Sequence, residues 1–198
     1  EILEQRVRFF PPADRRCEAE RMDYFRELLQ EIGGAIAGQA KVSKENAGMA
    51  TTLVLLYLDG AHAYVVNVGD SRAYLFRDGI LRQVTEDHTL VNELLKKGSI
   101  TPAEAEVHPN KNMITRALGG DGPLRPDFYR FDTYPGDRFL LCTDGLYNEL
   151  PDEAVARILG EAGTVAEATD RMIREANAAG GSDNITVVCV ETAAGEGD

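Results

Sequence analysis

Residues 51–84 read TTLVLLYLDGAHAYVVNVGDSRAYLFRDGILRQV. Thr51 to Leu58 and Ala61 to Val68 are apolar runs separated by Asp59-Gly60, the strongest short hairpin signal in a sequence. Ser71 to Phe76 and Ile80 to Val84 flank Arg77-Asp78-Gly79 in the same way. Two hairpins in succession commit this part of the chain to antiparallel sheet.

On either side the periodicity changes. Upstream, Met22, Phe25, Leu28, Leu29, Ile32 and Ile36 recur at three- and four-residue steps, which predicts a helix from about Glu18. Gly33-Gly34 and Gly38 weaken that helix without ending it. Glu1 to Phe10 reads as a short amphipathic helix stopped by Pro11-Pro12. Downstream, Leu90 to Lys97 ends at Gly98, and Thr101-Pro102-Ala103-Glu104 is a helix start with proline at the first position. Strands are expected at Asp127–Tyr134, Arg138–Cys142 and 185–191, with one long helix from about Asp152 to Ala178 before the last of them. Hairpins mixed with amphipathic helices predict an α+β fold in which helices cover the outer faces of stacked antiparallel sheets. One domain over 1–198 is expected, with 192–198 a flexible acidic tail.

Composition narrows the function. The 198 residues are 43% hydrophobic, enough for a sizeable core, and carry a net charge of −12. That charge argues against a nucleic-acid or anionic-membrane partner. No run approaches the ~18–20 apolar residues of a membrane span, and no segment reads as a signal peptide. Cys17, Cys142 and Cys189 form no C-x-x-C pair, and Cys142 and Cys189 lie inside apolar runs, as small buried hydrophobes do. A reducing cytoplasm is the expected setting. Glu1 is not methionine, so the natural start is expected to lie upstream.

Asp144-Gly145 follows the apolar run Phe139 to Cys142, and Asp183-Asn184 precedes the run Ile185 to Val190. Asp70, after Gly69, stands at the end of a third. Singly, each reads as a turn or cap residue, since Asp-Gly and Ser-Asp-Asn are common in turns. Together they are three carboxylates at strand ends, expected to converge at one rim of a sheet. Such oxygen donors suit hard cations such as Mg²⁺ or Mn²⁺.

Five motifs follow in order: Gly69-Asp70-Ser71-Arg72-Ala73-Tyr74, Thr85 to Val91, Ile114-Thr115-Arg116-Ala117-Leu118-Gly119, Leu141 to Leu146, and Gly181 to Val188. The series resembles the metal-dependent serine/threonine phosphatases of the protein phosphatase 2C (PP2C, PPM) family, bacterial branch. Met49-Ala50-Thr51-Thr52-Leu53 is similar to a further family segment, with Ala50 where the family has glycine. The resemblance implies an αββα sandwich with a metal cluster at one end of its two sheets. It implies two Mn²⁺ or Mg²⁺ ions bridged by a water that attacks phosphoserine or phosphothreonine in a protein substrate. By motif, Asp144 and Asp183 match acids of the second core metal. Asp70 matches the acid that holds a third, weaker metal together with the equivalent of Asp144. The resemblance assigns no other side chain of this sequence a catalytic or substrate-binding role.

The sequence departs from that family at its start. The family's bridging aspartate lies in an Asp-Gly-Met-Gly-Gly segment, whereas no Asp-Gly occurs here before Thr51, where the only aspartates are Asp14 and Asp23. Without that carboxylate, two close cations repel with less compensating charge, so this chain alone is expected to bind metal weakly and to be a poor or inactive catalyst. Strands contributed by the same segment are expected to be missing, leaving a sheet edge open to dimerisation or aggregation. The alternative is a catalytically dead module that binds a serine/threonine kinase or a phosphorylated regulator. The oligomeric state stays open. His62 reads as a packed or exposed strand residue, His88 and His108 as loop hydrogen-bonding groups, and Arg116 as a loop anchor. Arg72 is expected to pair with an acid on its own side of the strand.

Overall fold

The computed structural model describes residues 18–120 and 122–193. The segment Glu1–Phe10, Cys17 and the end of the acidic tail lie outside them. The chain divides into two compact units, one of Glu1–Leu53, Val66–Gly69 and His88–Phe128, the other of Val54–Val65, Asp70–Asp87 and Tyr129–Asp198.

A three-stranded sheet has the order β1-β2-β5, formed by β1 (Leu53–Leu58), β2 (His62–Val68) and β5 (Asp127–Asp132). A four-stranded sheet has the order β4-β3-β6-β7, formed by β3 (Arg72–Arg77), β4 (Ile80–Gln83), β6 (Arg138–Cys142) and β7 (Val187–Glu191). Its neighbours pair antiparallel throughout. The tight turn between β3 and β4 places Asp78 at φ 52° and Gly79 at φ 80°, the left-handed pair a two-residue hairpin needs.

The period of two along β3 and β6 explains why both read as continuous apolar runs. In the second unit Ala73, Leu75, Phe139 and Leu141 pack with Ala63, Val65, Val54, Leu56 and Phe131 of the facing sheet. The alternate residues Tyr74, Leu140 and Cys142 turn to the other face. There they meet α5 (Asp152–Glu161) and α6 (Val165–Ala179) through Val155, Ile158, Leu159, Ala168, Met172 and Ala176. The central strands β3 and β6 are thus buried on both sides, by a sheet and by helices, while Val188 of β7 stays exposed.

The single helix expected over 152–178 is two. Ala162 is extended, and Thr164 caps α6 by accepting a hydrogen bond from the Glu167 N–H (3.1 Å), while the Glu167 carboxylate accepts from the Gly163 N–H (3.0 Å). Two short helices let two apolar stripes close on one sheet face where one straight helix offers one. Their charged residues form exposed pairs such as Arg157–Glu175 and Arg171–Glu161, the solvated face read from the sequence.

In the first unit, α1 (Glu18–Ala40) buries Phe25, Leu28 and Leu29 and runs through its glycines. Gly33 packs beside Leu118 and Leu124. The strand expected from Thr51 begins at Leu53, because Thr51 pairs in an isolated bridge with Leu118. The insert forms α2 (Leu90–Lys96) and α3 (Pro102–Glu106), the latter opened by a reciprocal Thr101–Glu104 capping box. No helix of the described residues is long and apolar enough to cross a membrane.

Candidate metal centre

Strand register decides where the three acids lie. Arg72 pairs with Cys142, and Cys142 with Val187, in antiparallel ladders. The start of β3, the end of β6 and the start of β7 therefore share one rim of the four-stranded sheet. Asp70 precedes β3, Asp144 follows β6 and Asp183 precedes β7, so all three acids stand at that rim.

The loops that carry Asp144 and Asp183 are stapled together. The Thr143 N–H donates to the Thr186 carbonyl (3.1 Å), and the Thr186 N–H returns a bond to Thr143 Oγ1 (3.0 Å). Thr143 Oγ1 also donates to the Asn184 carbonyl (3.2 Å). Gly145 lies against that same carbonyl, where a β-carbon would overlap its oxygen, so the close approach requires glycine. Asp144 is the first residue of a single helical turn, α4 (Asp144–Tyr147). Asp183 Oδ1 accepts from the Asn184 N–H (2.7 Å). Glu149 closes the arrangement by accepting from Ser182 N–H (3.1 Å) and Oγ (2.5 Å), bonds that hold its carboxyl below the usual range.

Asp70 carries the electrostatic signature. Burial pushes its carboxyl above the ordinary value, and the nearby Asp144 charge pushes it further; Asp87 adds to this, while backbone hydrogen bonding and Arg72 offset part of it. Arg72 is committed elsewhere. Its Nε and Nη2 donate to Asp87 (3.0 and 2.7 Å) and its Nη1 to the Tyr74 hydroxyl (3.0 Å). Burial works against the Arg72 charge, but the Asp87 bonds more than offset it. The expected acid partner of Arg72 is therefore Asp87. The guanidinium also lies 3.5 Å over the Tyr147 ring, and the Tyr147 hydroxyl donates to the Asp70 carbonyl (3.0 Å).

This donor set fits a hard divalent cation in part. Burial and the Asp144 charge make Asp70 costly to ionise, and a cation between the two carboxylates would offset that cost. Asp70 and Asp144 can hold such an ion, with Asp183 on the stapled neighbouring loop. Yet among the described residues no three His, Cys, Asp or Glu side chains gather around one point.

In the first unit, buried His88 holds the backbone of Gly69 at both of its polar groups. Its N–H donates to the Gly69 carbonyl (3.0 Å), and its Nδ1 accepts from the Gly69 N–H (3.0 Å). Its Nε2 faces Asp127 (3.0 Å) and the Arg116 guanidinium (3.1 Å). Arg116 donates to Asp127 (3.0 Å) and to the Arg125 carbonyl (3.1 Å), the loop-anchoring role expected of it. Burial raises the Asp127 carboxyl, but His88 and Arg116 together hold it below its ordinary range. His62 packs in β2 near Asp59 and Asp132, and His108 Nδ1 accepts from the Asn110 N–H. Sequence reasoning missed Tyr147 and Asp87. Tyr147 stands three residues after Asp144, the one-turn spacing that puts both ends of α4 on one side.

The family model for protein phosphatase 2C matches residues 4–186. The serine/threonine phosphatase stp of Listeria monocytogenes is 42% identical over 168 residues, 85% of this chain and 67% of that protein. Among solved structures, the serine/threonine phosphatase of S. agalactiae superposes with a TM-score of 0.88 at 32% identity, covering 96% of this chain and 78% of that one. The catalytic domain of the serine/threonine phosphatase PstP, solved with two manganese ions, gives a TM-score of 0.79 at 36% identity, with coverage of 91% and 75%.

Proposed function

This chain belongs to the protein phosphatase 2C family of bacterial serine/threonine phosphatases, which use Mn²⁺ or Mg²⁺, and on that premise we propose that its carboxylate rim serves hydrolysis of phosphoserine and phosphothreonine in proteins. The observation that carries the reading is the shared rim: antiparallel register brings the ends of β3, β6 and β7 together, and there burial and then the Asp144 charge push the Asp70 carboxyl upward. The ions such a rim holds supply an activated water and charge neutralisation on phosphoryl oxygens. The chain's own part is to fix Asp144 and Asp183 on stapled loops, keep Asp70 beside Asp144, and withhold Arg72 from both. Phosphorylated proteins are the substrates, with a serine/threonine kinase or its targets as the partners. The thiols of Cys142 and Cys189 are free, burial pushing them up to about 12 and about 11, which suits a reducing cytoplasm.

With Asp70 and Asp144 close together and no three His, Cys, Asp or Glu side chains gathered around one point among the described residues, this chain by itself binds metal weakly and turns over slowly or not at all. The test is hydrolysis of a phosphothreonine peptide by the 198-residue protein at high concentration with Mn²⁺. Any turnover is expected to be slow, to require Mn²⁺ and to disappear in Asp144→Asn. Turnover that survives EDTA or that substitution overturns the mechanism. Phosphopeptide binding in EDTA without any turnover gives the case to a binding module.

A further inference from the structure

We propose that Tyr147 is a positioning residue that fixes the separation of Asp70 and Asp144, by gripping the Asp70 backbone from the far end of the turn that carries Asp144. The inference rests on the reading that these two acids share a divalent ion.

Its basis is connectivity inside the second unit. Asp144 and Tyr147 are the first and last residues of α4, a turn held by the Asn148 N–H to Asp144 carbonyl bond (2.9 Å). From the end of that turn the Tyr147 hydroxyl donates to the Asp70 carbonyl (3.0 Å). One rigid turn thus bears one carboxylate and holds the main chain of the other. Asp70 lies outside β3, so the sheet ladder does not restrain it directly.

The tyrosine is itself immobilised. Arg72 covers its ring at 3.5 Å, and Arg72 is fixed by its fork on Asp87 and by the Tyr74 hydroxyl. Gln83 Nε2 donates to Asp87 Oδ1 (3.0 Å) and to the Thr85 carbonyl (2.7 Å), tying that acid to the end of β4. Burial and then the Asp87 charge push the Tyr147 hydroxyl up, so it remains a donor at every physiological pH.

The arrangement needs a reason, because Asp70 and Asp144 repel. An unrestrained chain before β3 would relax and part them. A hydrogen bond between neutral groups is enough to oppose that, and it does so without neutralising either acid, as an arginine partner would. Groups that orient ligands in this way act on metal affinity more than on the fold.

The experiment is a double-mutant cycle on Mn²⁺ affinity, read by manganese EPR on the metal-free 198-residue protein, with unfolding in EDTA measured beside it. Tyr147→Phe keeps the ring under Arg72 and removes the hydroxyl. It is expected to weaken Mn²⁺ binding about tenfold while leaving the EDTA unfolding midpoint nearly in place. In the Asp70→Asn background the same change should have no further effect, since the hydroxyl acts through Asp70. Arg72→Lys, which loses the fork and the stacking, is the second variant and should weaken Mn²⁺ by a smaller factor. If Asp70→Asn itself leaves Mn²⁺ affinity unchanged, the metal reading fails. If Asp70→Asn weakens binding while Tyr147→Phe and Arg72→Lys do not, the metal reading stands and the positioning role is overturned. An equal loss from Tyr147→Phe in both backgrounds also overturns it.

Discussion

At the end of the four-stranded sheet where β3 and β7 finish and β6 begins, acids meet arginines; at the opposite end, acids meet each other. Asp137, 1% exposed, receives Arg77 through two bonds of 2.6 Å and the Tyr134 N–H at 2.8 Å. Arg138 bonds Glu191 (2.8 Å) and reaches the Ala162 carbonyl (2.8 Å) behind α5. At the carboxylate rim the available arginine, Arg72, faces Asp87 instead, and the Asp70 carboxyl is driven up by burial and by Asp144. The same residue types on the same strands thus stabilise one end and burden the other. A site that departs from good electrostatic design while its surroundings obey it is where function is to be sought.

The largest effect expected from this contrast lies at the satisfied end. Asp137→Ala removes a buried carboxylate and leaves the Arg77 fork and the Tyr134 N–H without it, at a cost of about 3 kcal/mol. Urea unfolding in EDTA measures it, and Mn²⁺ affinity should not change. A midpoint that stays in place would mean that the arginine-paired end is no more structural than the rim.

Glycines sharpen the same comparison. Gly136, at the satisfied end, has φ 87° and open space around a would-be β-carbon, so Gly136→Ala meets backbone strain alone, about 1 kcal/mol. Gly145→Ala drives a β-carbon into the Asn184 carbonyl, between the two stapled loops, and should cost about 2 kcal/mol. The separating measurement is Mn²⁺ binding, which Gly145→Ala weakens and Gly136→Ala leaves alone. Equal behaviour of the two in that assay would break the distinction.

Much of this was legible in the sequence, for local reasons. Asp59-Gly60 and Asp78-Gly79 announce their hairpins because turn geometry is written in two residues. Once β3, β6 and β7 are recognised as neighbours, antiparallel pairing alone sends Asp70, Asp144 and Asp183 to one rim. The break between α5 and α6 was written too, in Thr164 and Glu167 at capping-box spacing, but the helical periodicity on both sides masks it. The late start of β1 was not legible, because the partner of Thr51 is Leu118, 67 positions away, and only tertiary pairing selects it. Nor was the choice of Asp87 over Asp70 as the partner of Arg72, which depends on where the chain returns after β4.

The smallest expected effect tests the rim most directly. Because the Asp70 carboxyl is raised in the folded protein above its ordinary value of 3.8, the native state binds more protons than the unfolded chain between that value and the raised one. Stability therefore falls as pH rises through that window, and at pH 7 the ionised Asp70 carries the full penalty. Asn at this position cannot ionise. In EDTA at pH 7, Asp70→Asn should accordingly be as stable as the wild type or more so, by less than about 1 kcal/mol given partial exposure and solvent screening. The advantage should shrink as pH is lowered through the window. Added Mn²⁺ should reverse the order, because a ligand that binds only the native state stabilises the protein that binds it more tightly. Urea midpoints at several pH values, with and without Mn²⁺, give all three signs. If Asp70→Asn is instead clearly destabilised in EDTA at pH 7, Asp70 is a structural acid of the Asp137 kind, and the two ends of the sheet do not differ in electrostatic design.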